Sequence, residues 1–274
     1  MVVVYLGALA ALLVQSFFSL DEFTLKVNHS FTLSTWHDLA TKVTAETVGR
    51  TVAMAAAVTI ASIVVAFPIA FFVSKVARAR TKAAMYVLML LPLWASYMVK
   101  VYSWNLILAK DGVIDWLAHH LFLGWLLDGA LKLPGIGGTY LGASLLGQFI
   151  VFVYMWLPYM ILPIEAALGR VPDSYLDASS DLGASPRTTF RKVTWPLAKP
   201  GVVAGSIFTF ALTLGDFIIP GQVGRSQPSI GKAIYQYQGT SGDLPLAAAY
   251  AVIPIVIMGI YLTVAKRSGA FEAL

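Results

Sequence analysis

Few side chains in this sequence could do chemistry. Among 274 residues there is no cysteine, which excludes disulfides, thiolate metal sites and thiol nucleophiles. The nearest approach to a phosphate-binding loop is Gly224-Arg-Ser-Gln-Pro-Ser-Ile-Gly231-Lys232-Ala233. It places six residues between its glycines where four are needed, and Ala233 stands where a Ser or Thr would bind Mg²⁺. The histidines are His29, His37, His119 and His120; the adjacent pair points to different faces of any helix, which argues against a shared metal site. Asn28-His29-Ser30 matches a glycosylation acceptor, a pattern short enough to arise by chance. No paired carboxylates or Ser/His/Asp grouping falls within the apolar stretches. Two ionisable groups stand alone in such stretches, Lys100 and Asp216. An acid in hydrocarbon is costly and marks either a function or a partner.

The elements around these groups are apolar. Hydrophobic residues make up 58% of the chain and charged ones 12%, against roughly half and a quarter for a soluble domain. The mean hydropathy is +0.75. Too few charges remain to cover a water-facing surface, so the sequence reads as an all-α polytopic membrane protein. A helix crossing hydrocarbon needs about 20 mostly apolar residues, and charge-poor windows place six spans at about 1–20, 51–74, 83–109, 139–163, 201–220 and 244–265. The chain is then one transmembrane domain, 1–274. The first span is too long for a usual signal core and has no basic residue ahead of it; its abrupt start suggests native residues preceding Met1.

Basic residues set orientation. Segments 75–82, 165–199 and 266–274 hold eleven Lys and Arg, while 21–50, 110–138 and 221–243 hold seven together with eight acids. The first set is expected in the cytoplasm, with both termini. The net charge of +5 therefore reflects topology and not nucleic-acid binding. Outside, Val113, Ile114, Leu117, Leu121 and Trp125 recur at helical spacing, which predicts one amphipathic helix over 111–131 at the outer interface. Asp216 lies 17 residues beyond Lys199, and Lys100 lies 18 beyond Lys82. At ~1.5 Å per residue both sit about 25 Å up their helices. Two readings follow: Asp216 pairs with Lys100 across the bundle, or it faces the translocation path and meets a cationic solute, with Trp94 or Tyr97 offering a ring face.

The segment 165–199 has its own punctuation. Asp173 or Ser174 can cap a short helix, and Gly183 can end it in the left-handed conformation. Ser185 can cap a second helix, with Pro186 tolerated at its first position. Arg191 and Lys192 suit the end of that helix, and Pro196 is expected to break it. The prediction is two short helices joined by a tight turn and presented to the cytoplasm.

The same segment resembles the EAA loop of permease subunits in ATP-binding-cassette (ABC) importers, where EAA is followed by three residues, Gly, nine residues, an aliphatic residue, one residue and Leu-Pro. Asp177-Ala178-Ser179 stands at EAA, Gly183 follows after three residues, and Val193-Thr194-Trp195-Pro196 after nine more. Asp for Glu, Ser for Ala and Trp195 for Leu are departures. The literal Glu165-Ala166-Ala167 is out of register, since Gly169 follows after one residue. Pro92-Leu-Trp94, Lys100-Val-Tyr102, Lys110-Asp111-Gly112 and Leu214-Gly215-Asp216-Phe217, followed by Ile219-Pro220, resemble the wording of spermidine/putrescine permeases.

That resemblance implies the six-helix type I importer permease fold in a bacterial inner membrane. It implies three kinds of partner besides lipid: a second permease, two ATP-binding subunits that hold ATP and Mg, and an extracytoplasmic solute-binding protein. No cofactor is expected in this chain and no catalysis by it. ATPase contact is expected at Leu176, Asp177, Ala178, Ser179, Leu182, Gly183, Ala184 and Ser185, with Leu176 and Leu182 as apolar anchors. Polyamine is the expected solute; iron(III), phosphonate or another organic solute remain alternatives within the family. A secondary transporter or channel without an ATPase is the alternative outside it.

Overall fold

The structure is a computed structural model that describes residues 2–21, 23–224 and 227–267; parts of the phosphate-loop candidate and of the C-terminal segment lie outside the described residues. Helices dominate: α1 (Val2–Gln15), α2 (Ser34–Leu39), α3 (Lys42–Phe71), α4 (Ala79–Trp94), α5 (Tyr97–Ile107), α6 (Val113–His120), α7 (Gly124–Leu131), α8 (Leu145–Gly169), α9 (Asp173–Asp181), α10 (Pro186–Thr189), α11 (Trp195–Gly215), α12 (Ile218–Gln222), α13 (Ile230–Gly239) and α14 (Leu244–Arg267). Two-residue strands, β1 (Ser19–Leu20) and β2 (Val27–Asn28), pair antiparallel.

Among the described residues four helical stretches are long and apolar enough to cross a membrane: Lys42–Val76, Leu145–Gly169, Pro186–Gly215 and Leu244–Arg267. A fifth is present if the bent pair α4 and α5 counts as one span. The expected six is therefore not reproduced by helix length. The first apolar run folds as only 14 helical residues, about 21 Å at ~1.5 Å per residue, before turning into β1.

Charge-free windows misjudged the helix ends for local reasons. The helix expected from 51 begins at Lys42, because Lys42, Glu46 and Arg50 are good helix formers and Glu46 faces Arg50 one turn on at 4.0 Å. The helix expected from about 139 begins at Leu145, where Ser144 Oγ accepts from the Gly147 amide at 2.9 Å. The stretch expected to span 83–109 breaks at Ala95, whose extended ψ of 140° turns the two helix axes 97° apart. Pro196 does not end a helix. The chain widens into a π-turn over Phe190–Thr194 and continues into α11, so the fifth span begins at Pro186 and stops at Gly215. The outer helix divides into α6 and α7 at Phe122, which takes a left-handed φ of 58°.

The residues fall into two compact units: Met1–Met54, Val101–Gln148 and Thr213–Ile260 in one, Ala55–Lys100, Phe149–Leu212 and Tyr261–Leu274 in the other. In the first, Leu39, Ala233, Ala249 and Tyr250 form a core, and Tyr250 Oη lies 2.8 Å from Thr44 Oγ1. Backbone segments also meet closely there, with the Gly142 amide donating to the Leu108 carbonyl and the Gly224 amide to the Gly142 carbonyl. In the second, Ala66, Phe67, Ala70 and Val73 of the α3 stretch pack with Met160, Ile161, Ile164 and Leu168 of α8 and with Ala198 and Val202 of α11. Gly201 makes the α8–α11 approach possible, since a Cβ there would come within 2.3 Å of the Pro163 carbonyl oxygen.

Candidate functional site

The loop between α8 and α11 folds as two short helices joined by a tight turn. Its first helix is α9, and the residue ahead of it is Pro172, not Asp173 or Ser174. Asp173 occupies the first helical position, where a carboxylate suits the positive end of the helix, and its Oδ1 takes a 2.8 Å hydrogen bond from Lys75 Nζ. Gly183 ends the helix at φ +71°. The Ala184 amide donates to the Ser179 carbonyl and the Gly183 amide to the Ser180 carbonyl, the paired closure that a left-handed glycine permits. Ser185 then starts the next helix, its Oγ accepting from the Thr188 amide at 3.4 Å, with Pro186 at the first position.

The eight residues expected to meet an ATPase do not share one environment. Asp177, Ala178, Leu182, Gly183 and Ser185 are exposed, Leu182 by 87%. Leu176 and Ala184 are half-buried and line a cavity of about 520 Å³ with Phe67, Phe71, Pro186 and Phe190. Ser179 is also half-buried, and its Oγ sits 2.8 Å from Thr189 Oγ1, tying α9 to α10. Of the two expected anchors, Leu176 therefore holds α9 to its own unit, while Leu182 is free for a partner. Phe67 receives the edge of Phe190 at 5.4 Å and the tilted Trp195 ring at 5.7 Å, so the aromatic that opens the π-turn and the one just past its end both brace the loop. Sequence reasoning missed Tyr175, which is exposed on α9, and Lys75, whose partners lie 96 and 98 residues away. Glu165, read as out of register with the motif, is buried in α8, 3.5 Å from Lys82.

The second set of candidates is partly brought together. Lys100 Nζ donates to the Pro92 carbonyl at 2.9 Å. The break at Ala95 has taken away the i+4 amide that this carbonyl would otherwise receive, and a lysine can fill that vacancy. The same ammonium lies 6.0 Å from the Tyr97 ring centroid, and Tyr97 also stacks on Trp156 at 5.9 Å. Trp94, at the end of α4, is 85% exposed. Asp216 lies outside any helix, past the end of α11, and its Oδ1 accepts from the Ile219 amide at 2.8 Å. It thus caps α12. Close by, Gly231 opens α13 against α11, since a Cβ would approach the Gly215 and Asp216 carbonyl oxygens to 2.5 Å.

With this geometry in place, residues 59–269 match the family described as binding-protein-dependent transport system inner membrane component. The chain belongs to that family. It is 50% identical over 272 residues, 99% of this chain and 87% of the relative, to the inner membrane ABC transporter permease protein YdcU of Escherichia coli. The spermidine/putrescine transport system permease protein PotB of the same organism is 27% identical over 92% of this chain and 88% of its own length. Among solved structures, a bacterial ABC transporter that imports alginate matches with a TM-score of 0.69 over 97% of this chain and 91% of that chain, at 14% identity. The MetNI methionine ABC transporter matches at 0.58 over 84% and 95%, at 17% identity. The permease is thus an ABC importer subunit of the bacterial inner membrane with the type I importer fold, a non-enzymatic membrane component.

Proposed function

We propose that this permease carries polyamines of the spermidine/putrescine class inward. It does so with a second permease, two ATP-binding subunits that bind and hydrolyse MgATP, and an extracytoplasmic solute-binding protein that delivers the solute. Similarity to PotB along 92% of the chain carries the choice of solute, supported by the Trp94, Lys100–Tyr102 and Leu214–Pro220 wording. The exposed face of α9, with Asp177 and Ala178, and Leu182 just past its end, take the ATPase contact. Closure of the ATPase pair moves α9 as a body, because the Gly183 turn and the Ser179–Thr189 contact hold it to the next helix. Coupling of two sites needs such an element, one that both can bias.

The test is uptake by proteoliposomes that carry this permease with its second permease, its ATP-binding subunits and its solute-binding protein. Labelled putrescine or spermidine should accumulate with ATP and compete with each other. A partner binding protein that holds neither, but retains another solute, would sink the polyamine reading and leave the importer reading in place. Uptake without an ATPase would sink both.

A further inference from the structure

Lys75, Arg78, Arg80 and Lys82 explain orientation through charge alone, and orientation requires no fixed partners. Two of them have such partners. Lys75 Nζ donates to the Val171 carbonyl and to Asp173 Oδ1, the latter at 2.8 Å, and its side chain is only 7% exposed. Lys82 Nζ lies 3.5 Å from Glu165 Oε1, whose side chain is 10% exposed. Lys82 Nζ also approaches the Tyr86 ring to 6.0 Å. Glu165 lies in the last turns of α8 and Asp173 opens α9, so the two grips flank the α8–α9 connection. Lys75 in the π-turn after α3 and Lys82 in the first turn of α4 flank the α3–α4 connection.

We propose that Lys75 and Lys82 form a two-point clamp that fixes the root of α9 to the α3–α4 turn, making both lysines positioning residues through which displacement of α9 moves α3 and α4. The clamp rests on the coupling role given to α9 above. Burial decides which members matter. Lys75 and Glu165 are the members held out of water, so each is the fixed centre of its grip, and a charge held there depends on its partners. Asp173 is 78% exposed, and a water-facing ion pair contributes little. The Val171 carbonyl, followed by a proline with no amide, is the firmer half of the Lys75 grip. A staple that merely stabilised the fold would change assembly. A clamp changes the work obtained per ATP.

The experiment reconstitutes the complete importer in proteoliposomes and compares putrescine taken up per ATP hydrolysed, alongside ATPase co-purification. Lys75→Met and Glu165→Gln should keep the ATPase bound yet lower uptake per ATP by about fivefold or more, the low end of ordinary site-to-site coupling. Lys75→Arg, which keeps donors and charge, should restore most of it. Asp173→Asn keeps an acceptor oxygen for Lys75 on an exposed side chain, with the Val171 carbonyl unchanged, and should stay within about twofold of wild type. An unchanged ratio in Lys75→Met and Glu165→Gln overturns the clamp, as does loss of ATPase association in both. Wild-type protein that hydrolyses no ATP in response to the loaded binding protein would count against the coupling reading itself, a failure distinct from an insensitive Lys75→Met beside a coupled wild type.

Discussion

At Gly183 the consequence of adding a side chain is conformational and nothing else. An added Cβ would meet no atom within 4 Å, so Gly183→Val pays only for the left-handed φ, roughly 1–2 kcal/mol. Asn visits that region more readily. Gly183→Val should therefore reduce putrescine uptake with the permease still inserted, whereas Gly183→Asn should retain most of it; equal uptake in the two would show that the turn is not needed. Asp216 poses a different question, since its carboxylate caps α12. Asn keeps an acceptor oxygen but no charge. Asp216→Ala should lose the cap, about 1 kcal/mol, and lower the unfolding temperature of detergent-purified permease. If Asp216 also receives a cationic solute, Asp216→Asn will assemble and melt like wild type but lose polyamine uptake. Normal uptake by Asp216→Asn removes the solute role. Gly183 was legible from the sequence because a glycine at fixed spacing between two capping signals has few other uses. The place of Asp216 was not, since an apolar window says nothing of where a helix stops, and here it stops one residue earlier.

Among the elements, the prolines mark where periodicity alone misleads. Pro196 lacks the amide that a helix would use, yet the π-turn before it absorbs the mismatch and the helix runs on; a chain read in sequence order shows the proline but not the wider turn. The opposite happens at Ala95, where the residues give no breaker stronger than Pro92 and the helix still breaks. Lys100, read from depth as one possible partner for Asp216, fills the carbonyl that the break exposes. The α6–α7 pair depends on a contact that spacing could not reveal. Gly124 lets the His119 ring approach to where a Cβ would be 2.9 Å away. His119 Nδ1 meets the Asp115 carbonyl at 2.8 Å, which raises the imidazole above its ordinary value, with smaller contributions from the Asp115, Asp128 and Asp111 charges. A raised folded-state value stabilises the pair fully below the unfolded value of about 6.5, and that contribution is lost as pH rises through the higher folded value. Proteolysis between α6 and α7 should be slower at about pH 5.5 than at about pH 8. His119→Gln should flatten the difference, and a difference of equal size in that variant would assign it elsewhere.

For the molecule as a whole, membrane class and family were legible because composition and the α9–α10 spacing each demand them independently. The count of crossings was not. Charge-free windows ask only whether a stretch tolerates lipid, and both α1 and the α4–α5 pair do, yet one is short and the other is broken. Sidedness, by contrast, rests on the distribution of Lys and Arg and does not need every crossing to be straight. Any arrangement that keeps 165–199 in the cytoplasm and 110–138 outside has an odd number of crossings between them, which the α8 stretch supplies. With no native cysteine, single introduced thiols can report this directly. Ser185 and Gly129 are both exposed, and a Cβ at Gly129 meets nothing within 4 Å, so neither thiol disturbs packing. In right-side-out vesicles an impermeant maleimide should label Gly129→Cys and spare Ser185→Cys; in inverted vesicles the pattern should exchange. Labelling of both from one side would remove α8 as a crossing, and the reversed pattern would turn the cytoplasmic face of α9 outward, where no ATPase could reach it.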